Sequence, residues 1–423
     1  MSTAWPVMID SPRAVVSDRR ARWLALAALT VAVVAMRRPD QFMHPHLWVE
    51  DGAVNLPEYL VHGWGMLIQP IAGYFILPVK LIFASAASLS FRALPEISLV
   101  FTLMFTFCVV AAIAFSPTRL RHRYACAIAV LLVPCDPEVF GIGLYTGWWG
   151  SLLAILPLLW RNPEERSWLR HVYVVIGGLS TPLIMGLAPL YLLRAAVTRH
   201  RSDVLLAVTC LAVTSLQLWA LWSANRMPDA AGDANTIMPV ITKFFGYYLY
   251  RPSTAILGDP AAWSGSLLLL VLASGLTLVP RAERWAYLLL LCSLAIAIVS
   301  SIVRIPVGAL DPVIAGPRYF FFPFVLVSWC LLQLVRKEHR VASSVALLAL
   351  LLPAYNLVAY GSRGNVHYDW RSEVATCVAS ANAHRFPIHY DGKGDANTWG
   401  VRVSRDDCRR LVRSSIFDDQ LSD

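Results

Sequence analysis

The sequence predicts an all-α polytopic membrane protein with about 11 transmembrane segments. Three observations lead there. The 423 residues are 57% hydrophobic and only 15% charged, with a mean hydropathy of +0.56. Apolar runs recur from Trp23 to Ala359, and Lys and Arg fall in short clusters between them. The net charge of +9 therefore reads as a set of orientation signals and not as a nucleic-acid footprint, so no nucleic-acid partner is expected.

In order, the apolar runs are 23–36, 94–115, 124–134, 147–160, 172–180, 182–194, 204–222, 263–279, 285–303, 319–335 and 341–359. The first follows Arg19, Arg20 and Arg22. Arg37, Arg38 and Pro39 stand where a small-residue cleavage site would, so it reads as an uncleaved helix. Residues 39–93 form a first outer loop. Its stretch 67–89 is interrupted by Gln69, Pro70, Pro78 and Lys80, and it is expected to lie along the outer surface as one or two helices. Several later runs fall below the roughly 17 to 25 residues of a full span, so some helices are broken or re-entrant. Residues 172–194 are long enough for one helix kinked at Pro182, but a short pair turning at Ser180, Thr181 and Pro182 keeps the later basic loops on one side. A similar pair is expected over 124–134 and 147–160. Loop 223–262, with Arg226, Lys243 and Arg251, is long, polar and aromatic like a mobile cover. The segment 304–318 is bounded by Arg304 and Arg318. Two domains result: a transmembrane domain, 1–359, and a small outer region, 360–423, expected to pack on the outer loops.

Loops 1–22, 116–123, 161–171, 195–203, 280–284 and 336–340, with Arg194 at one edge, hold twice as many Lys and Arg as the longer opposite-side loops before residue 360. This places the N-terminus inside and the C-terminus outside. Of the cysteines, only Cys377 and Cys408 lie in a polar region, where they can pair in an oxidising compartment.

Chemistry gathers in the outer loops. Glu50 and Asp51 are adjacent, among Trp48, His44, His46 and His62. A carboxylate at a membrane boundary needs hydration, a partner or a role, and either could take a proton or cap the helix beginning near Ala53. Asp136 and Glu138 form a second acidic pair that can bind a sugar hydroxyl. Whether a divalent cation, Mg or Mn, sits at Asp136 and Glu50 stays open, and no cofactor is certain. Tyr145, Trp148, Trp149 and Tyr319 offer faces for sugar rings or anchors at the interface. Arg304, Arg318 and Lys243 are cations on the side where orientation signals do not require them, suited to a lipid-linked phosphate. Neither GxGxxG nor GxxxxGK[ST] occurs, which argues against a soluble nucleotide donor.

These features resemble the polytopic GT-C glycosyltransferases. The resemblance rests on WVEDG at 48–52, GLSTPLIMGLAPLYLLR at 178–194 and GPRYFFFP at 316–323. It implies transfer of a sugar from a polyprenyl-phosphate donor to a hydroxyl of a cell-envelope glycan or lipid, such as lipopolysaccharide. It also implies a bacterial inner-membrane location, with the N-terminus cytoplasmic and the active site and C-terminus periplasmic. The base would be Glu50 or Asp51, with a slight lean to Asp51 because the following Gly52 leaves it room, and the donor phosphate would lie on Arg318, Arg304 and Lys243. Substrate contacts would come from Asp136, Glu138, His46, Trp48, Tyr145, Trp149 and Tyr319. The competing readings are a transporter or flippase of lipid-linked glycans, expected to carry repeated halves and mid-span charges, and a membrane acyltransferase using His367 and Asp369.

Overall fold

The computed structural model of the chain describes residues 12–224, 237–251, 258–365, 367–389 and 399–418. Arg226, in the expected cover loop, lies outside them. The protein is 74% helical. Among the described residues five helices are long and apolar enough to cross a membrane: Leu94–Phe115, Arg201–Ser223, Pro260–Leu278, Arg281–Arg304 and Arg340–Tyr360. Shorter apolar helices accompany them.

Helix α1 (Pro12–Arg37) runs between two ends of the molecule. Near its middle Trp23 stacks on Phe115, ring centroids 4.5 Å apart; at its far end Arg37 donates to the carbonyls of Leu131, Val133 and Cys135 at 3.0, 2.9 and 2.5 Å. The apolar helix α2 (Leu77–Leu89) keeps both ends at the second of these ends. The Leu77 amide donates to Leu179 O at 2.7 Å, and the Phe417 amide donates to Leu89 O at 2.9 Å. Helix α3 (Leu94–Phe115) then returns to the first end.

Two helical hairpins follow. Helices α4 (Arg123–Leu131) and α5 (Thr146–Ile155) enter and leave together: the Arg119 amide donates to Leu159 O at 2.7 Å and the Arg161 amide to Pro117 O at 3.0 Å. Helices α6 (Ser167–Gly178) and α7 (Leu183–Thr198) do the same, because one carboxylate, Asp203, is paired with Arg170 near the start of α6 and with Arg194 near the end of α7. Pro182, which lacks an amide hydrogen, sits at the break. The segment 172–194 is thus a pair of helices returning to the side they came from, and not one kinked helix.

The hairpin tips meet. A Cβ on Gly147 would lie 2.8 Å from Ser180 O, so only glycine allows that approach. Ser151 Oγ donates to Thr181 Oγ1 at 2.8 Å. Helix α8 (Arg201–Ser223) packs along the second hairpin, and its Gln217 ties Gly178 O (2.7 Å) to the backbone of Phe75 (2.9 and 3.1 Å). Helices α9 (Gly258–Leu278), α10 (Arg281–Arg304) and α11 (Arg318–Leu334) complete the bundle with α12 (Arg340–Leu351), which continues past Pro353 as Ala354–Tyr360.

The basic loops collect at one end. Arg119 donates to Ala282 O at 3.0 Å, His122 Nε2 lies 3.1 Å from Val335 O, Arg336 pairs with Glu283, and Arg194 reaches Leu158 O and Trp160 O at 2.6 and 3.1 Å. At the opposite end α13 (Trp370–Ala379), an antiparallel pair β1 (His384–Pro387) and β2 (Gly400–Val403), and α14 (Arg405–Ser414) form a small unit in which Cys377 and Cys408 are disulfide-bonded. Its buried residues Trp370, Phe386 and Leu411 share one cluster with Leu56, Met66, Phe83 and Phe91 of the first loop and α2–α3. Such a short segment encloses little apolar volume alone, so it completes its core on the first loop.

Candidate active site

A cavity of about 640 Å³ opens at the end away from the basic loops. The first loop supplies Trp48, Val49, Glu50 and Tyr74. The two hairpin tips supply Glu138, Tyr145 and Trp148, then Ser180, Thr181 and Pro182. Ser300, Ser301 and Arg304 end α10, Arg318, Tyr319 and Phe322 begin α11, and Arg363 and Trp399 come from the C-terminal region.

Glu50 and Asp51 diverge. Glu50 precedes a π-helical turn, Asp51–Asn55, and lies on the cavity wall. The preceding Val49 has φ of 35°, a conformation strained for a β-branched residue. It is held by its own amide donating to His389 O (2.8 Å) and by its carbonyl accepting from Ala53 N (2.9 Å). Asp51 is 4% exposed, behind the wall, and accepts from Leu144 N at 2.9 Å and Asn55 Nδ2 at 3.3 Å. Burial, aided by the charge of Glu50, pushes its carboxyl up to about 7 against those two hydrogen bonds.

Glu138 is buried yet fully engaged. It accepts from Tyr145 Oη at 2.6 Å and Arg318 Nη1 at 2.7 Å, while Trp48 Nε1 donates to Tyr145 Oη at 3.1 Å. Burial and the Glu138 charge hold the Tyr145 hydroxyl well above its ordinary value, so it stays a donor. This relay fixes Arg318, whose guanidinium carbon also lies 5.2 Å from the centre of the Tyr319 ring. Arg304 lies over Tyr74 at 4.9 Å.

The structure brings Glu50, Glu138, Trp48, Tyr145, Tyr319, Arg304 and Arg318 to one cavity and leaves other expected residues off its wall. Asp136 pairs with Arg363 at 3.1 Å, and its carboxyl is raised by burial against that guanidinium. Lys243 donates to Gly308 O and Leu310 O at 2.7 and 2.6 Å, tying down the segment before Arg318. Arg251 pairs with Asp311 at 3.0 Å. Trp149 is buried, donating to Val139 O at 2.7 Å against Phe140, and its neighbour Trp148 is the one on the wall, packed on Tyr319 and Phe322. His46 packs against His389, rings tilted by 49°, behind the first loop. Among the described residues no group of three or more His, Cys, Asp or Glu converges as a metal site requires. Asp136 and Glu50 do not share the wall.

Tyr74, Arg363 and Trp399 went unread in the sequence. They carry no local motif, and they reach the cavity only through a tight turn (Ile71 and Tyr74 exchange backbone bonds) or through packing of the C-terminal region. No protein family, curated protein or solved structure matches this chain.

Proposed function

We propose that the chain is a glycosyltransferase of GT-C-like architecture, with about 11 membrane segments counting the hairpin helices. It moves a sugar from a polyprenyl-phosphate donor to a hydroxyl of a cell-envelope glycan or lipid. In this reading the protein sits in a bacterial inner membrane, N-terminus cytoplasmic, with the cavity and C-terminal region periplasmic. The observation that carries it is the meeting of Glu50, a carboxylate on the wall that no ion pair engages among the described residues, with the guanidinium groups of Arg304 and Arg318 in one cavity, which Glu138 and Arg363 also line, beside the apolar Leu183, Ala297 and Phe322.

Glu50 is the base. It takes the proton of the acceptor hydroxyl as that oxygen forms its bond to the anomeric carbon. The bond from that carbon to the phosphate oxygen breaks, and the electron pair leaves with the polyprenyl phosphate. Arg318 and Arg304 balance the charge that develops there. Glu138 touches no reacting atom: it positions Arg318 and Tyr145. Trp148 offers indole surface for sugar rings, whereas Trp48 is buried under Arg363 and orients Tyr145. Asp51, buried and with its carboxyl raised to about 7, supports the turn behind Glu50.

The test is transfer from a polyprenyl-phosphate sugar in membranes containing the chain. Glu50→Gln is expected to lower transfer by about 100-fold or more, whereas Asp51→Asn retains most of it. Full activity in Glu50→Gln, or donor binding unchanged in an Arg304→Gln, Arg318→Gln double variant, overturns the assignment.

A further inference from the structure

Two imidazole pairs join the first loop to the C-terminal region. His44 packs on His367 with ring centroids 4.0 Å apart, and His46 on His389 at 4.1 Å. Tyr368 covers His389 from another side at 4.5 Å. The inner pair is buried, and neither His46 Nε2 nor either ring nitrogen of His389 has a hydrogen-bond partner among the described residues. Only His46 Nδ1 has one, 3.0 Å from His44 O.

The charged groups around this pair do not favour protons. Asp40 lies 3.7 Å from His46 Nε2 but is already bound by Arg38 at 2.8 Å and by Asn365 at 2.7 Å. Burial alone would raise that carboxyl, yet Arg38 holds it below the usual range. Arg363, paired with Asp136, adds a further cation. Burial and then the Arg38 charge lower His46 to about 4; burial and then His46 lower His389 to about 3.

The same contact completes the cavity. His389 O accepts from Val49 N at 2.8 Å, holding the backbone that presents Glu50, and Arg363 and Trp399 of the C-terminal region line the wall. We infer that the contact of His46 and Val49 with His389 is a releasable edge of this cavity, closed while His46 and His389 are neutral and opened locally when those rings take protons, with the core shared by Trp370, Phe386 and Leu411 left in place. Protonation would place two imidazolium groups in ring contact, away from water and beside Arg38 and Arg363. The sign follows. Attachment is complete above the ordinary imidazole value near 6.5, weakens as pH falls through it, and levels off below about 3. Asp51 titrates in the opposite sense, so it does not produce an acid loss.

The inference concerns the wall and holds whatever reaction the cavity serves. It is tested by hydrogen–deuterium exchange of the full chain in lipid nanodiscs at about pH 7.5 and about pH 5, with rates corrected for the intrinsic pH dependence. Protection in 44–53 and 388–389 should fall by about tenfold or more at the lower pH, with α10 and α13 unchanged. In the His46→Gln, His389→Gln double variant this dependence should vanish. If the double variant is already open at the higher pH, the single variant His389→Gln should show a shallower loss than the native chain. Equal protection at both pH values, or an acid loss that the substitutions leave unaltered, overturns the inference. No transfer activity enters the measurement, so it stands apart from the transferase reading.

Discussion

Glu50 and Asp51 share a peptide bond and almost nothing else. Successive side chains on a helical turn point in directions about 100° apart, so one reaches the cavity while the next is driven into the protein. The buried partner carries a stability signature. Because the folded Asp51 carboxyl is raised from 3.8 to about 7, its contribution is fully present below about 3.8 and is lost as pH rises through about 7. Asp51→Asn should therefore gain stability relative to the native chain as pH climbs between those values, by up to about 4 kcal/mol, and level off above. Thermal unfolding of both proteins across that range checks it; a constant difference would remove the buried-acid account. The residue types at 50 and 51 marked the site in the sequence. Which of the two faces the cavity depends on the φ of 35° at Val49, and that comes from a hydrogen bond to His389, far along the chain.

The two hairpins are the elements on which the cavity rests. Their short lengths, their prolines and the need to keep later basic loops on one side were legible from the sequence, and the break at 179–182 falls where Ser180, Thr181 and Pro182 indicated. The clamp at their base was not, since it unites residues from three helices. Asp203, 1% exposed, is shared as an ion-pair partner by Arg170 and Arg194. Asp203→Ala leaves two buried guanidinium groups without their carboxylate and should destabilise the protein by about 3–5 kcal/mol, read as a lower unfolding temperature in detergent. The loss in an Asp203→Asn variant is expected to be smaller, because the amide oxygen still accepts one hydrogen bond. Equal stability of all three proteins would show that the hairpin base needs no charge compensation.

At the scale of the whole molecule, charge is sorted by end: basic loops gather at one, and the carboxylates, Arg304 and Arg318 meet at the other. The disulfide-bonded C-terminal region caps the second end. Cys377→Ser with Cys408→Ser should lower the stability of that region by about 2–4 kcal/mol. Exchange in α13 and α14 should rise well before the bundle is affected, because the region borrows half its core from the first loop. Composition, apolar spacing and the alternation of basic loops were enough to indicate a multi-helix membrane protein and to set its basic loops apart from the loops that line the cavity. Those properties are set by transfer free energies and backbone satisfaction, which act locally along the chain. Only the tertiary structure decided which side chains share the cavity: Glu50 over Asp51, Trp148 over Trp149, Arg318 with Glu138, and Arg363 and Trp399 from the distant C-terminal region. Such choices depend on the direction of each side chain and on packing between segments remote in sequence, and neither leaves a local pattern to read.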